Sequence, residues 1–345
     1  MSLSAFDIFA GPGFLSLGFE REGFKTLLAV EFERNAASTY ALNRPRVPVL
    51  LQDIRQVDFR EAVRAVGRPD VIVGGPPCQG FTSQINPHEH GDVAVAAGAK
   101  RALFLQAIRA LREVKPAGFL FENVTGLKKR GLHTQLIRAL ERVGYRVTFE
   151  QSVATDFGVP QKRERVFFSG TRGSEVKPPV ATTKTPRTVR EALAGLPAAM
   201  EEPTSDPLHR APRHSADVKA RMAKLKPGES YTAWASHSRL FLDRPAPTMI
   251  GGSPRVHPSQ ARLLTCREIA RIQSVPDSYK FSPGELARQI CNGVPPPLAA
   301  AWARSLKAAL SRGGRVQESA INDERAWDEA LRVAEVLDDE LSKAE

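Results

Sequence analysis

The chain has 345 residues and a formal net charge of +11. This length is enough for one large domain together with a smaller one. No stretch approaches the roughly 20 apolar residues of a membrane span, and the segment MSLSAFDIFAGPG lacks the basic region of a signal peptide. The three cysteines, Cys78, Cys266 and Cys291, are too widely separated for a disulfide framework or a zinc site. We therefore expect a cytoplasmic protein that binds neither a membrane nor a metal.

The charge is unevenly distributed along the chain. Residues 316–345 contain ten acidic and three basic residues, a net of −7, so the remainder carries +18. Such an excess suits a polyanionic partner such as nucleic acid. An arginine-rich protein with another role would show the same excess, so charge alone leaves both readings open.

Residues 1–170 alternate short apolar runs with helical patterns, which predicts a doubly wound α/β sheet. The predicted strands are Ala5–Phe9, Thr26–Val30, Val71–Val73, Phe119–Phe121, Val147–Gln151 and Val166–Ser169. The predicted helices are Phe14–Glu22, Asn35–Leu42, Phe59–Val66, Ala102–Val114 and Thr134–Val143. Residues 80–99 show neither period, and a loop of that length is usually functional or disordered.

The pattern changes from Thr171 onward, where prolines and basic residues dominate. We interpret residues 171–243 as a small separate domain inserted into the catalytic domain of residues 1–170. Residues 244–315 would complete that catalytic domain, with helices at Thr265–Ile272 and Leu298–Leu310. Residues 316–345 form an acidic tail, in which Ile321–Leu341 is predicted to be an amphipathic helix.

A glycine-containing turn, DIFAGPG, lies between the first predicted strand and the first helix. Glycine allows the backbone to approach a ligand closely, and a helix N-terminus offers unpaired N–H groups. Glu31 ends the second strand, where a carboxylate can hold ribose hydroxyls, and Asp53 could bind an adenine amino group. Each acid alone is more simply a solvated loop charge, but their order after successive strands favours a cofactor site.

The segment GGPPCQGF follows the strand Val71–Val73, so Cys78 is expected at the carboxyl edge of the sheet, where ligands bind. A lone cysteine is often a small buried apolar residue. Two preceding prolines and flanking glycines instead favour rigid presentation of a thiol.

Two further motifs carry charge at strand ends. Glu122, in FENV, either caps a helix or lies in the cleft. In PQKRER, strand alternation would place Gln161, Arg163 and Arg165 on one face. Such a face is either solvated or able to grip a polar base.

Together these motifs resemble the DNA (cytosine-5) methyltransferase family, in its bacterial modification form. The matches occur in the family's order and leave out only residues 171–243 and the tail. They are FxGxG at Phe9–Gly13, Glu31, Asp53, PPCQ at Pro76–Gln79, ENV at Glu122–Val124, QxRxR at Gln161–Arg165, the run Arg262–Phe281 and QICNGVPP at Gln289–Pro296.

The resemblance implies a Rossmann-like methyltransferase sheet, an inserted target-recognition domain and transfer of a methyl group from S-adenosylmethionine to carbon 5 of cytosine. Cys78 would add to C6, Glu122 would protonate N3, Arg165 would hold O2 and Arg163 would support them. The base must leave the stack, and the loop after Cys78 would close over it, with Thr82 near a phosphate. The product released from the cofactor would be S-adenosylhomocysteine. The partners would be double-stranded DNA and a cognate restriction endonuclease, and the enzyme would be a monomer associated with the nucleoid.

The resemblance also implies a set of cofactor contacts. Two residues in that region depart from the family pattern, because glycine is usual at the positions of Phe14 and Cys291; Phe14 is expected to face the sheet, away from the cofactor. Lys100 and Val275 replace a common arginine and a common phenylalanine, and Arg244 resembles the residue that braces the insert. The implied cofactor contacts are Phe9, Gly11, Gly13, Glu31, Phe32, Asp53, Ile54, Pro77, Leu103 and Asn292.

Three alternatives remain at this point. A tRNA (cytosine-5) methyltransferase of the same superfamily typically carries a CFT tripeptide in its insert, and this sequence has none. A catalytically silent DNA-binding protein would not need Cys78, Glu122 and Arg165 together. A small-molecule methyltransferase would not need the PPCQ, ENV and QxRxR motifs.

Overall fold

The computed structural model describes residues 2–77, 103–130, 132–202, 205–233, 237–252 and 255–313, together with residue 325. The predictions made for Cys78, Thr82 and Lys100 lie outside the described residues. So do the predicted loop at 80–99 and the predicted helix Ile321–Leu341.

The described residues form one large mixed sheet. The strands are β1 (Ser4–Ile8), β2 (Lys25–Glu31), β3 (Val49–Leu51), β4 (Val71–Gly74), β5 (Gly118–Asn123), β6 (Arg146–Val153), β7 (Gln161–Lys162), β8 (Glu164–Thr171) and β9 (Ala246–Pro247). The strand order of the large sheet is β3-β2-β1-β4-β5-β8-β6, in which β3, β2, β1, β4 and β5 are parallel and β8 runs antiparallel to both its neighbours. A separate short pair joins β7 to β9.

Helices cover both faces of this sheet, as expected when strands are apolar on both sides. The helices are α1 (Phe14–Arg21), α2 (Arg34–Asn43), α3 (Phe59–Val66), α4 (Leu103–Val114), α5 (Leu132–Arg142), α6 (Val189–Leu193), α7 (Ala216–Ala223), α8 (Cys266–Ile272), α9 (Leu286–Asn292) and α10 (Pro296–Arg312). Of these, α3, α4 and α5 pack on one face of the sheet, and α1 and α10 pack on the other.

The C-terminal segment folds back against the start of the chain. Gly18 of α1 lies so close to α10 that a Cβ at this position would be 2.4 Å from the Ala299 Cβ. Trp302 is fully buried, stacks on Phe167 and donates a hydrogen bond to Ser152 Oγ over 3.1 Å. The C-terminal return therefore completes the core of the first domain.

The predicted doubly wound sheet is confirmed, and the predicted strand Val166–Ser169 lies within β8. The strand alternation assumed for Gln161–Arg165 is interrupted. The segment from Gln161 to Ser169 is not a continuous strand, because the chain breaks at Arg163, whose N–H donates to the Gln161 carbonyl. Gln161 pairs instead with Ala246 of β9. Strand β3 and helix α9 were not predicted at all.

The apolar residues of the region 171–243 share a core with the C-terminal return. Val189, Ala192 and Leu240 pack in the same cluster as Ile269 and Ile290. Arg244 lies over the Phe241 ring at 4.4 Å, and its carbonyl accepts from the Val189 N–H. The boundaries of the four predicted regions stay predictions. Across the residues that the structure describes, no helix has both the length and the apolar character needed to cross a membrane.

Candidate active site

The segments that follow β1, β2, β4 and β5 converge at the carboxyl edge of the sheet. Ile8 pairs with Val30 on one side and with Gly74 on the other, and Gly74 pairs with Phe121. The residues just beyond these positions are the glycine turn, Glu31, the two prolines before position 78, and Glu122. The fold thus brings four separate motifs to one edge.

The turn after β1 depends on left-handed backbone conformations. Phe9, Gly11 and Gly13 have φ values of 54°, 55° and 87°. A Cβ at Gly11 would meet nothing within 4 Å, whereas one at Gly13 would lie 2.6 Å from Arg44 Nη1. Gly11 is therefore favoured by its backbone angle alone, and Gly13 by its angle and by close packing.

Glu31 holds this turn from the adjacent strand. Its carboxylate accepts hydrogen bonds from the Gly11 N–H over 2.7 Å and from the Glu33 N–H over 2.8 Å. Burial raises the pKa of Glu31, and the amide donors oppose that shift. The predicted ribose-binding acid thus also fixes the glycine turn.

The neighbouring predicted contacts differ in exposure. Phe32 is 66% exposed, which is unusual for a large apolar ring beside a cleft. Ile54 is buried, and Leu103 is partly buried against the same core cluster. The Asp53 carboxylate is already paired with Arg55 at 2.5 Å, and this bond lowers the pKa of Asp53.

Glu122 and Arg165 form an ion pair, with 2.8 Å between Glu122 Oε1 and Arg165 Nε. Both side chains are nearly buried. The neighbouring Asn123 side chain donates to the Pro76 carbonyl over 3.2 Å, and a Cβ at Gly75 would lie 3.2 Å from Glu122 Oε2. The acid therefore lies against the segment that leads into position 78.

Arg163 is fully buried beside this pair. Burial, reinforced by the charge of Arg165, lowers the pKa of Arg163 to about 9, while Glu122 and Cys291 oppose the shift. Its Nε has no hydrogen-bond partner among the described residues. The Gln161 amide donates to Gln273 Oε1 over 2.5 Å and accepts from the Met249 N–H. The strand alternation from which the common face of Gln161, Arg163 and Arg165 was predicted is interrupted at Arg163, so that face stays a prediction.

Phe14 and Cys291, where the family usually has glycine, are both buried in the cluster that α8 and α9 form with α1. The Phe14 ring packs edge-to-face on Tyr279 at 5.4 Å, and a Cβ at Gly293 would lie 2.1 Å from it. The expectation that Phe14 faces the sheet is wrong, because the ring packs against the C-terminal return. Asn292, the last residue of α9, is exposed next to this contact.

Sequence reasoning missed a polar network beneath the glycine turn. Tyr279 donates to the Pro12 carbonyl, and Arg44 donates to the Gly13 carbonyl. No local motif could reveal this contact, because Arg44 and Tyr279 are 235 residues apart. The buried Asp7, which lies inside the DIFAGPG motif, was the one available signal.

Comparison with known proteins agrees with this arrangement. Residues 3–308 match the family model described as C-5 cytosine-specific DNA methylase. The type II methyltransferase M1.HphI of Haemophilus parahaemolyticus is 34% identical over 329 residues, which cover 89% of this chain and 87% of the relative. M.PspPI of a Psychrobacter strain is also 34% identical, over 90% of this chain and 80% of its own length.

Solved structures show the same fold. A prophage-encoded protein of E. coli, described as a DNA modification methyltransferase, superposes with a TM-score of 0.75 at 26% identity, over 90% of this chain and all of that one. The Entamoeba histolytica methyltransferase EhMeth has a TM-score of 0.63 at 12% identity, over 90% of this chain and 99% of its own, and supports the fold alone. The match over residues 3–308 decides the family. The chain belongs to the C-5 cytosine-specific DNA methylases and is a DNA (cytosine-5) methyltransferase.

Proposed function

We propose that the chain methylates carbon 5 of a flipped-out cytosine in a specific double-stranded DNA sequence, using S-adenosylmethionine and a covalent bond between Cys78 and C6. The observation that carries this proposal is the 2.8 Å pair between Glu122 and Arg165. It lies beside the segment leading into Cys78 and would present an acid and a cation to one edge of a polar ring.

The residues near the glycine turn suit S-adenosylmethionine. Glu31 would offer a partly buried carboxylate to the ribose, and the exposed Phe32 ring can stack on the adenine. To bind the adenine amino group, the Asp53 carboxylate would give up part of its interaction with Arg55. When bound, the cofactor supplies an electrophilic methyl group on its sulfonium. The other proposed contacts are Phe9, Gly11, Gly13, Ile54, Pro77, Leu103 and Asn292.

The protein's own groups would activate the base. C5 of cytosine is a weak nucleophile, so the Cys78 thiolate would add to C6 and make C5 enamine-like. Glu122, protonated at that stage, would donate its proton to N3 as negative charge develops there. After C5 gains the methyl group, the N3 proton returns to Glu122, the C5 proton passes to a base, and departure of the Cys78 thiolate restores the aromatic ring.

The two arginines would have distinct tasks. Arg165, held by Glu122, would donate to the cytosine O2. Arg163 remains largely protonated at neutral pH, because the pKa to which burial lowers it is about 9. Its buried charge would support Glu122 by stabilising the carboxylate that remains once the proton has passed to N3.

DNA would be recognised outside this centre. We propose that residues 171–243 select the target sequence and that the +18 charge outside the tail contributes salt-dependent contacts to phosphates. Removing the base from the stack would cost a few kcal/mol. The chain would act as a monomer, and a restriction endonuclease specific for the same sequence would be its cellular partner.

Bisulfite sequencing of DNA from cells that express the protein tests the proposal. Methylation of one short sequence is the expected result, and Cys78→Ala is the matched inactive variant. Exchanging residues 171–243 with the insert of a relative of different specificity should move the methylated site. Methylation of tRNA but not of DNA, or a Cys78→Ala variant of normal activity, would contradict the proposal.

A further inference from the structure

The carbonyls of two consecutive residues in the glycine turn accept hydrogen bonds from one arginine–tyrosine pair. The Tyr279 hydroxyl donates to the Pro12 carbonyl over 2.5 Å, and Arg44 Nη2 donates to the Gly13 carbonyl over 2.9 Å. Arg44 Nη1 also donates to the Tyr279 oxygen over 2.9 Å. Tyr279 lies between α8 and α9, so the C-terminal return reaches the turn directly.

Arg44 is itself held in place from several sides. Its Nε bonds to Glu20 Oε1 at 2.7 Å, and its guanidinium lies 4.6 Å from the centre of the Tyr40 ring. The Tyr40 hydroxyl bonds to Ser16 Oγ at 2.7 Å, and Ser16 donates to Asp7 over 2.6 Å. Asp7, Ser16 and Tyr40 are fully buried. The arginine side chain is therefore fixed before any ligand arrives.

We propose that Tyr279 and Arg44 are positioning residues for S-adenosylmethionine, which act by fixing the direction of the peptide groups in the glycine turn. This inference rests on the proposed function, because it takes the turn as part of the cofactor site. Neither side chain is assigned a contact with the cofactor.

The physical reason lies in the planarity of the peptide bond. Fixing the Pro12 carbonyl also fixes the opposite N–H, that of Gly13, which closes the turn by donating to the Ala10 carbonyl over 3.0 Å. The Gly13 carbonyl accepts from Arg44 and from the Leu17 N–H, and fixing it fixes the N–H of Phe14. The Phe14 N–H is one of the unpaired donors at the start of α1. The Gly13 carbonyl points toward Arg44, so the Phe14 N–H points to the opposite side of that peptide plane. Loss of either bond would loosen the turn and weaken binding of an anionic or polar group at this N–H.

The same chemistry occurs a second time in the molecule, which provides a matched control. Tyr145 donates to the Pro116 carbonyl over 3.0 Å, and Arg172 Nη2 donates to the Tyr145 oxygen over 3.0 Å. This second pair holds the start of β5, at the opposite edge of the sheet. Tyr145→Phe thus removes an equivalent bond from an equivalent buried tyrosine far from the cofactor.

Calorimetric titration of S-adenosylmethionine into the full-length protein tests the inference. Tyr279→Phe should raise the Kd about tenfold, as expected for one buried hydrogen bond, whereas Tyr145→Phe should leave the Kd unchanged. In steady state, Tyr279→Phe should raise the KM for the cofactor by a similar factor. Its kcat at saturating cofactor and its KM for DNA should stay as in the wild type.

Each outcome has a distinct meaning. Wild-type protein that binds no S-adenosylmethionine would remove the proposed function itself. A wild type that binds, with Tyr279→Phe at the same Kd or with both tyrosine variants weakened equally, would overturn the inference alone. Should Tyr279→Phe not fold, Arg44→Lys replaces it, since the three donors of a lysine ammonium cannot reproduce the four bonds that the guanidinium makes to Glu20, Tyr279 and Gly13. A folded Arg44→Lys variant with wild-type affinity would overturn the inference equally.

Discussion

The two edges of the central sheet contain the same arginine–tyrosine–carbonyl arrangement, but we propose a different role for it at each edge. At the amino edge, Tyr145 and Arg172 hold the Pro116 carbonyl and anchor the connection between α4 and β5. At the carboxyl edge, Tyr279 and Arg44 hold the glycine turn, which faces the candidate cofactor site. The local bonds are alike, so their functional meaning comes from the edge of the parallel sheet at which they lie.

The ionisable groups that lie around the two edges also differ. At the carboxyl edge burial shifts the pKa values of two acids and an arginine, Asp7, Glu31 and Arg163, whereas at the amino edge it raises the pKa of Tyr145 to about 12, so that this group stays neutral. Such displaced values are typical of sites that bind ligands or catalyse reactions. The pair of Glu22 and Arg304, at the C-terminal end of α1, is a more exposed surface bridge by contrast. This difference predicts where a substitution affects chemistry and where it affects only stability.

The largest expected effect is that of Glu122→Gln at the carboxyl edge. An amide cannot supply a proton to N3, so the chemical step should slow by roughly 10²- to 10⁴-fold. Single-turnover methyl transfer at saturating DNA measures that step. Glu22→Gln, which removes another acid–arginine pair of similar length, should leave the rate within about twofold. An unchanged rate in Glu122→Gln would remove this residue from the proposed mechanism.

A second substitution separates core packing from the cofactor pocket. Phe14→Ala should lower the free energy of unfolding by about 3–5 kcal/mol, because the ring is buried against Gly293 and Tyr279. Urea denaturation gives this value, with Leu42→Ala as an exposed control. If Phe14→Ala instead kept wild-type stability and bound S-adenosylmethionine more tightly, the ring would be obstructing the pocket.

An effect on stability of similar size depends on pH. Burial raises the pKa of Asp7 to about 7 from its ordinary 3.8, so between these values the folded state holds a proton that the unfolded state has lost. The contribution of Asp7 to stability is therefore present below about pH 4 and declines as the pH rises to about 7. His257, whose pKa is lowered to about 4 by burial, contributes in the opposite direction over part of this range.

Asp7→Asn isolates the first contribution, because asparagine does not titrate and His257 is the same in both proteins. The difference in unfolding free energy, variant minus wild type, should rise between pH 4 and pH 7 and stay level above about pH 8. Urea denaturation across that range measures it. A difference that does not vary with pH would mean that Asp7 titrates normally in the folded protein.

The smallest expected effect compares the two tyrosines in stability alone. Tyr279→Phe and Tyr145→Phe should each cost about 1 kcal/mol of unfolding free energy, since each removes one buried hydroxyl with two partners. Equal losses would show that the two arrangements are alike as structure. A much larger loss for Tyr279→Phe would mean that its effect on cofactor binding reflects general destabilisation.

Much of this organisation could be predicted from the sequence. The alternation of strands and helices predicts the doubly wound sheet, because strands buried on both faces are continuous apolar runs. Strand β3 escaped prediction because it has three residues and lies at the sheet's edge. The break at Arg163 also escaped, because it depends on a pairing between Gln161 and Ala246, which is distant in sequence.

The motifs Glu31 and Glu122 were placed correctly at strand ends because that position is a local property of the chain. The two proposed positioning residues were not predicted. In the sequence, Arg44 resembles a surface residue at the end of a helix, and Tyr279 resembles an ordinary aromatic residue. Their roles arise only when the C-terminal return packs against the glycine turn. Phe14 shows the same limit, because the partner that buries its ring is also distant in sequence.

Covalent trapping on DNA containing 5-fluorocytosine tests the central claim most directly. Fluorine cannot leave C5 as a proton does, so the bond from Cys78 to C6 should persist after methyl transfer. We expect a protein–DNA complex that survives denaturation, requires S-adenosylmethionine and is absent in Cys78→Ala. A wild-type protein that methylates ordinary DNA but forms no such complex would contradict the covalent mechanism.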